Sequence, residues 1–139
     1  MGLNKAVMEI VPEKRSAQPN LDDMLETISR TLGLNKSQQA EVCGLRTRKT
    51  LYAWVSGAVP RKKSMQRVHL LYRAALDWSR SAFVCPEKVL HVPILQGRTL
   101  YDLLKADPLD LEAVHFAGAR LSMENESGAN ALIKDPFGA

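Results

Sequence analysis

A chain of 139 residues with 45% apolar residues is long enough and apolar enough to bury one hydrophobic core. The charged fraction of 24% excludes a wholly disordered chain, and only 6% aromatic residues argues against a stacking surface for single-stranded nucleic acid. The net charge of +4 is unevenly spread. Residues 36–80 hold ten Lys and Arg against two acidic residues, whereas 1–35 holds four against five and 81–139 five against eight. A basic middle predicts contact with a polyanion.

The first half of the chain carries the signals of four helices. The first three have a capping residue before them and a glycine after them: the caps are Asn20, Asn35 and Thr47, and the glycines are Gly33, Gly44 and Gly57. Apolar residues recur at helical spacing in between. We therefore predict helices at about 21–32, 36–43, 48–56 and 64–79. Residues 1–19 lack such a pattern, so we predict a flexible arm in which AVMEIV has the composition of a short strand.

The second half of the chain has weaker signals. Two prolines and several β-branched residues over 81–97 favour extended structure or a connector. Thr99 and Asp102 have the spacing of a capping box, which predicts a helix that runs to Ala106. A last helix begins after Asp110, which is a further capping residue.

These elements predict an all-α protein that is built as a helix-turn-helix bundle with a small C-terminal helical extension. We assign the bundle to 20–80 and the extension, as a segment for dimerisation or partner binding, to 81–123. Residues 1–19 form the arm, and the Gly- and Asn-rich residues 124–139 are expected to be a disordered tail.

The centre of the bundle has two short helices separated by Gly44-Leu45, which is typical of a helix-turn-helix. Leu51 and Trp54, three residues apart, are expected to anchor the second of these helices in the core. Its opposite face then carries side chains that reach base edges in a major groove. The residues predicted to read bases are Arg46, Thr47, Arg48, Lys49, Thr50 and Tyr52.

The segment LGLNKSQQAEVCGLRTRKTLYAWVSGAVP resembles the lambda-repressor and Cro-like, or Xre-type, helix-turn-helix family. The resemblance implies sequence-specific binding of double-stranded DNA as a dimer, with the third helix reading bases. The sequence departs from the family at Gln39, where the family has a buried leucine, and at Arg46, which is an extra residue.

The same resemblance implies phosphate contacts at the start of the second helix, and the basic run after Pro60 is expected to lie beside the DNA backbone. Such contacts give affinity without sequence information. The residues predicted to contact phosphate are Lys36, Ser37, Gln38, Arg61, Lys62, Lys63 and Arg67.

The C-terminal stretch LQGRTLYDLL with DLEAVHFAGARL resembles the toxin-binding domain of Xre-type antitoxins that pair with RES-domain toxins, although the tryptophan–proline–asparagine signature is missing. Three alternatives therefore stay open beside a stand-alone repressor: an autoregulating antitoxin, a module that binds RNA or an acidic protein, and a merely solvated charged face at 46–63. Co-purification with a toxin separates the first alternative from a repressor, and a steep salt dependence with a defined footprint separates DNA binding from the others.

No motif of an enzyme is present, and we expect neither catalytic residues nor a metal or other cofactor. The three histidines are His69, His91 and His115, and they match no HExxH pattern, while Cys43 and Cys85 match no metal spacing. We expect both cysteines to be reduced thiols in a cytoplasmic protein with no membrane segment and no signal peptide.

Overall fold

The computed structural model describes residues 19–138, and it describes Leu95 and residues 126–138 by their backbone alone. Residues 1–18 of the predicted arm, AVMEIV included, lie outside the described residues. The described chain is mostly helical. Its elements are α1 (Leu21–Leu32), α2 (Lys36–Val42), α3 (Arg48–Val55), α4 (Lys62–Arg80), α5 (Pro86–Val89), β1 (Pro93–Leu95), β2 (Arg98–Thr99), α6 (Leu100–Lys105) and α7 (Leu111–Gly138).

Local hydrogen bonds fix where the helices begin, as the sequence predicts. The side chains that accept a backbone N–H of the first helical turn belong to Asn20, Asn35, Thr47 and Thr99. At Asn35 the bond is reciprocal, because Asn35 Oδ1 accepts the N–H of Gln38 at 2.8 Å and Gln38 Oε1 accepts the N–H of Asn35 at 2.9 Å. Each such cap satisfies donors that the helix itself leaves unpaired, and is worth about 1 kcal/mol.

One hydrophobic core lies among the helices. α1 and α7 both pack on the long helix α4, and α6 packs against α2 and α7. Side chains with no exposed surface come from both halves of the chain: Ile28, Leu32, Leu51, Leu71, Leu100 and Leu104. The extension at 81–123 therefore shares the core of 20–80, and the two segments are not separate hydrophobic units.

The segment predicted as an extended connector forms the short helix α5 and a hairpin. Strands β1 and β2 pair antiparallel, with Pro93 opposite Thr99. Gln96 and Gly97 turn the chain between them with φ of 53° and 80°, and this positive φ at two successive residues is the backbone of a tight hairpin turn. The hairpin delivers the chain to Thr99, the cap of α6.

A close contact between Gly118 and Phe83 sets the position of α7 on α4. A Cβ added to Gly118 would lie 2.3 Å from Phe83 Cδ2 and 2.9 Å from Trp78 Cζ3, so only glycine fits without movement. Trp78 meets Phe83 edge to face with 5.3 Å between ring centroids, and its indole N–H donates to the carbonyl of Val84 at 2.9 Å. The ring pair thus fills the space that a side chain at 118 would occupy.

α7 continues to Gly138, so the structure describes as helix the residues 124–138 that the sequence predicts to be part of a disordered tail. Val114, Ala117 and Leu121 anchor its first turns in the core. Once those turns exist, each further residue adds a hydrogen bond without a new nucleation cost. Within the described residues, no helix has both the length and the apolar character that a bilayer crossing requires.

Candidate nucleic-acid interface

The core holds α3 in a fixed orientation through two side chains. Leu51 has no exposed surface and Trp54 has 5%, and the two lie three residues apart on the inner side of the helix. Gly44, with φ of 82°, lets the chain leave α2 and enter the turn that leads to α3. One side of α3 is therefore buried, and the other is presented to solvent.

The structure exposes every residue that the sequence predicts to read bases. Those residues are Arg46, Thr47, Arg48, Lys49, Thr50 and Tyr52. Thr47 also caps α3, because its Oγ1 accepts the N–H of Lys49 at 3.3 Å. The sequence prediction missed Val55, which is apolar and yet 45% exposed one turn beyond Tyr52. Its spacing of four from Leu51 places it at the edge of the buried side, so no local signal in the sequence indicates that it is exposed.

Most of the predicted phosphate contacts are also accessible. Lys36 and Ser37 are exposed at the start of α2, and Arg61, Lys62 and Lys63 are exposed where α4 begins. Gln38 is different, because it is half-buried and its side-chain oxygen is engaged in the capping box with Asn35. Its amide NH₂ group is the part that is left to bind a phosphate.

Arg67 is engaged within the fold, which argues against its predicted contact with a phosphate. Its guanidinium donates to the carbonyls of Val42 at 2.8 Å, Leu104 at 2.5 Å and Ala106 at 2.5 Å. Val42 ends α2, and the other two carbonyls lie at the end of α6, where a positive charge stabilises the helix dipole. Partial burial lowers the pKa of Arg67, and the Asp107 carboxylate opposes that shift. The residue joins two helix ends to α4.

Most of the exposed basic residues lie in a stretch of the sequence that lacks carboxylates. Between Glu41 and Asp77 the sequence has eight Lys and Arg and no Asp or Glu. Within residues 19–125, every ion pair lies outside this stretch. Glu41 lines a hollow with Arg46 and Arg48, so it borders the basic residues. Its carboxylate accepts a hydrogen bond from the hydroxyl of Tyr101 and lies 3.7 Å from Lys105 Nζ, so its charge is partly offset by α6.

Gln39 has an unusual place behind this surface. It is fully buried, and its Nε2 donates to the carbonyl of Leu25 in α1 at 2.5 Å. Its Oε1 has no hydrogen-bond partner among the described residues. A buried acceptor without a partner destabilises the fold by about 1–3 kcal/mol. Gln39 thus joins α2 to α1 less favourably than an apolar side chain of the same size.

A second surface lies between α4 and α7. It is a groove of about 680 Å³ that contains the half-exposed ring of Phe116. Basic residues Arg73 and Arg80 line it beside the acidic residues Asp77 and Glu112. Asp77 Oδ2 lies 2.7 Å from Nδ1 of His115. In contrast to the basic surface, this groove carries both signs of charge around an apolar centre.

Among the described residues, no three His, Cys, Asp or Glu side chains come together in a way that could hold a metal ion. Cys43 is buried, and burial raises the pKa of its thiol to about 12, so it stays protonated and unreactive at neutral pH. Cys85 is free and exposed.

Comparisons with protein-family models, with curated proteins and with solved structures give no match to this chain. The function of the protein is therefore inferred from the geometry and charge of its two surfaces.

Proposed function

We propose that this protein is a sequence-specific regulator of transcription that binds double-stranded DNA as a dimer. The observation that carries the proposal is the concentration of exposed cations around α3, in a sequence stretch that has no carboxylate between Glu41 and Asp77. Seven cations are exposed at and beside this helix: Lys36, Arg46, Arg48, Lys49, Arg61, Lys62 and Lys63. In this proposal α3 lies in the major groove, and the cations at the starts of α2 and α4 contact the backbone on either side of it. Regulation is steric, because a bound dimer excludes polymerase.

The proposal sets a scale for the salt dependence of binding. Each phosphate contact contributes about −0.9 to the slope of log K against log salt. Four contacts per chain, from Lys36 and Arg61–Lys63, give a dimer a slope of about −7. The affinity should then fall about 10⁴-fold between 50 and 200 mM salt. An interface that is formed mainly by apolar contacts with a protein lacks this dependence.

Selection of bound sequences from a random DNA pool, followed by footprinting, tests the proposal. We expect a palindromic consensus, since a two-fold dimer reads two equivalent half-sites. Arg48→Ala should weaken binding to the consensus by about 1–3 kcal/mol and relax specificity at one base pair. Lys62→Ala should instead lower the affinity for consensus and random DNA by the same factor.

Lys88→Ala is the matched control, because Lys88 is an exposed lysine in α5, outside the basic stretch. It should leave both affinities unchanged. Recovery of no consensus from the pool, or an equal loss on consensus and random DNA for Arg48→Ala, contradicts sequence reading by α3.

We further propose that the dimer forms through the groove between α4 and α7. The groove is self-complementary, because Arg73 of one copy and Glu112 of the other are suitable partners around a two-fold axis, with Phe116 filling the apolar centre. Phe116→Glu should raise the dimer dissociation constant at least about 30-fold in analytical ultracentrifugation.

Met123→Glu is the control for the dimer experiment, since Met123 is 68% exposed on the same helix and is not among the groove residues. It should leave the dimer intact. A chain that is monomeric at every concentration shows that the groove does not hold a second copy, and the antitoxin alternative, in which it holds a different protein, then replaces this proposal.

A further inference from the structure

We infer that the second half of α3 reads the methyl groups of thymine, through Tyr52, Ala53 and Val55. This inference rests on the proposed function and specifies which bases the protein selects. All three side chains are exposed although all three are largely apolar, with Tyr52 at 47% and Val55 at 45%. Exposed apolar side chains on an otherwise basic helix fit a partner that is a polyanion and also presents apolar groups.

The orientation of α3 puts these residues on the solvent side. Successive residues of a helix differ by about 100°, so Tyr52 and Ala53 lie roughly opposite the buried pair of Leu51 and Trp54. Val55 lies seven residues after Arg48, which is two turns of helix, and therefore follows it along one edge of the exposed surface. A single partner can meet Arg48 and Val55 together.

The choice of bases follows from the side chains that α3 carries and from those that it lacks. In the major groove, arginine and lysine pair with guanine, asparagine and glutamine with adenine, acidic residues with cytosine, and apolar groups with the thymine methyl. The sequence of α3, RKTLYAWV, has basic residues in its first turn and no asparagine, glutamine or carboxylate. Guanine and thymine are the bases that this helix can recognise best.

The length of the helix limits how far apart those bases lie. Seven residues at about 1.5 Å each separate Arg48 from Val55 by about 10 Å, which is about three base-pair steps of 3.4 Å. Each half-site should therefore contain a guanine at the position that the start of α3 contacts. One or two thymine methyl groups should lie within about three base pairs of it.

A protein partner is a poorer occupant of this surface than DNA. The exposed cations Arg48 and Lys49 precede the apolar group in the same helix, and Arg61 to Lys63 follow it in the chain. The sequence has no Asp or Glu between Glu41 and Asp77, so these cations outnumber the carboxylates that border them, Glu41 and Asp107. The major groove next to a thymine offers the combination that is needed, an apolar methyl group between two rows of phosphates.

Replacement of thymine by uracil in the selected consensus tests the inference, because uracil lacks only the methyl group. At the positions that α3 reads, the affinity should fall about three- to tenfold for each methyl group removed. Val55→Ala should lower affinity for the thymine site and abolish the difference between thymine and uracil at one position. Tyr52→Ser should do the same at another.

Val59→Ala serves as the matched control, because Val59 is an apolar residue that is 85% exposed and lies beyond the end of α3. It should keep the full difference between thymine and uracil. Circular dichroism should show all three variants folded, since each changes an exposed side chain. A consensus that contains no thymine, or one whose affinity is unchanged by uracil in every half-site position, overturns methyl reading while DNA binding stands. A pool that yields no consensus overturns the proposed function itself.

Discussion

The two surfaces of this protein handle charge in opposite ways. Around α3 the cations are exposed, and within residues 19–125 the ion pairs lie elsewhere. Across the groove between α4 and α7, Asp77 faces His115, and farther along α7 Arg120 Nε lies 3.1 Å from Glu124 Oε2. Exposed pairs of this kind contribute only a few tenths of a kcal/mol. The difference between the surfaces therefore matters less for stability than for what each surface can bind.

Concentrating one sign of charge has a destabilising effect that the fold must tolerate. Like charges repel in the compact state, and the repulsion is reduced when the phosphates of a bound polyanion lie beside the cations. The mixed charges of the groove incur no such repulsion and instead suit a partner with the same pattern. The contrast distinguishes cations that are free to bind a partner from charged groups that are engaged within the fold. Arg67 belongs to the basic stretch by sequence, but its guanidinium is engaged within the fold.

The substitution with the largest expected effect tests whether Arg67 serves the fold rather than DNA binding. Arg67→Met removes a guanidinium that satisfies three carbonyls at two helix ends. Hydrogen bonds to charged groups contribute about 1.5–3 kcal/mol each, and partial exposure reduces that, so the free energy of unfolding should fall by about 3 kcal/mol in urea denaturation. The salt slope of DNA binding, measured where the variant is folded, should stay unchanged.

Lys62→Met is the matched comparison, since Lys62 is exposed at the start of the same helix. It should leave the free energy of unfolding within about 0.5 kcal/mol of the starting protein and reduce the magnitude of the salt slope by about 1 per chain. Should Arg67→Met reduce the slope while stability is retained, Arg67 belongs with the phosphate contacts after all.

The second prediction concerns packing on the groove side. Alanine is favoured over glycine in a helix by about 1 kcal/mol, but a Cβ at Gly118 would come within 2.3 Å of Phe83. Overpacking of this kind destabilises by about 1–3 kcal/mol, so after the gain in helix propensity Gly118→Ala should lower the free energy of unfolding by up to about 2 kcal/mol. Thermal unfolding of Gly118→Ala, Phe83→Leu and the double variant measures the coupling. Strict additivity of the two changes would argue against the contact.

A smaller effect, of opposite sign, is expected at Gln39. Methionine has nearly the same shape and removes the buried Oε1 that has no partner among the described residues. Although the bond from Nε2 to Leu25 is lost, Gln39→Met should stabilise by about 1 kcal/mol, which is a rise of about 4 °C in Tm. Arg48 and Lys49 are untouched by the change, so the salt slope should not move. A lower Tm would show that Gln39 is better satisfied than the contacts indicate.

The prediction with the smallest effect on stability at neutral pH concerns the thiols. A thiol reagent at neutral pH should modify Cys85 rapidly and Cys43 only after unfolding, because Cys43 is buried. The folded-state pKa of Cys43 is raised from 9.0 to about 12, so the unfolded chain loses this proton first as the pH rises. Stability should be unaffected below pH 9 and should fall by about 1.4 kcal/mol per pH unit above it. Burial and the bond to Glu41 also raise the pKa of Tyr101, which adds to the loss in that range.

The sequence predicted the parts of the fold that local chemistry determines. Asn35 and Thr47 cap their helices through bonds to residues two or three positions away, so their role is visible in a short window. The sequence prediction missed the hairpin. Gly97, with the short segments 93–95 and 98–99 on either side of the turn, is the signal that could have indicated it. The all-α class was nevertheless correct, because the two strands are only three and two residues long.

Residues whose role depends on distant contacts were beyond local reasoning. Arg67 looks like one more member of a basic run, yet its acceptors are 25, 37 and 39 residues away along the chain. The exposure of Val55 likewise depends on which side of α3 the core takes. In the candidate site, the sequence was thus enough to locate the charged side chains. Which side chains are free to contact a partner could be seen only from how the helices pack.

The Arg67 bridge also determines how the molecule opens. Proteins exchange their amide hydrogens through cooperative units whose members are held by shared contacts. A single guanidinium binds the ends of both α2 and α6. When either end unravels, the guanidinium loses part of its support, and its bond to the other end is weakened as well. The amides of these two helices should therefore exchange with deuterium at similar rates, although more than fifty residues separate them. A partner that clamps the C-terminal half would thereby also slow the opening of the helix next to the one proposed to read DNA.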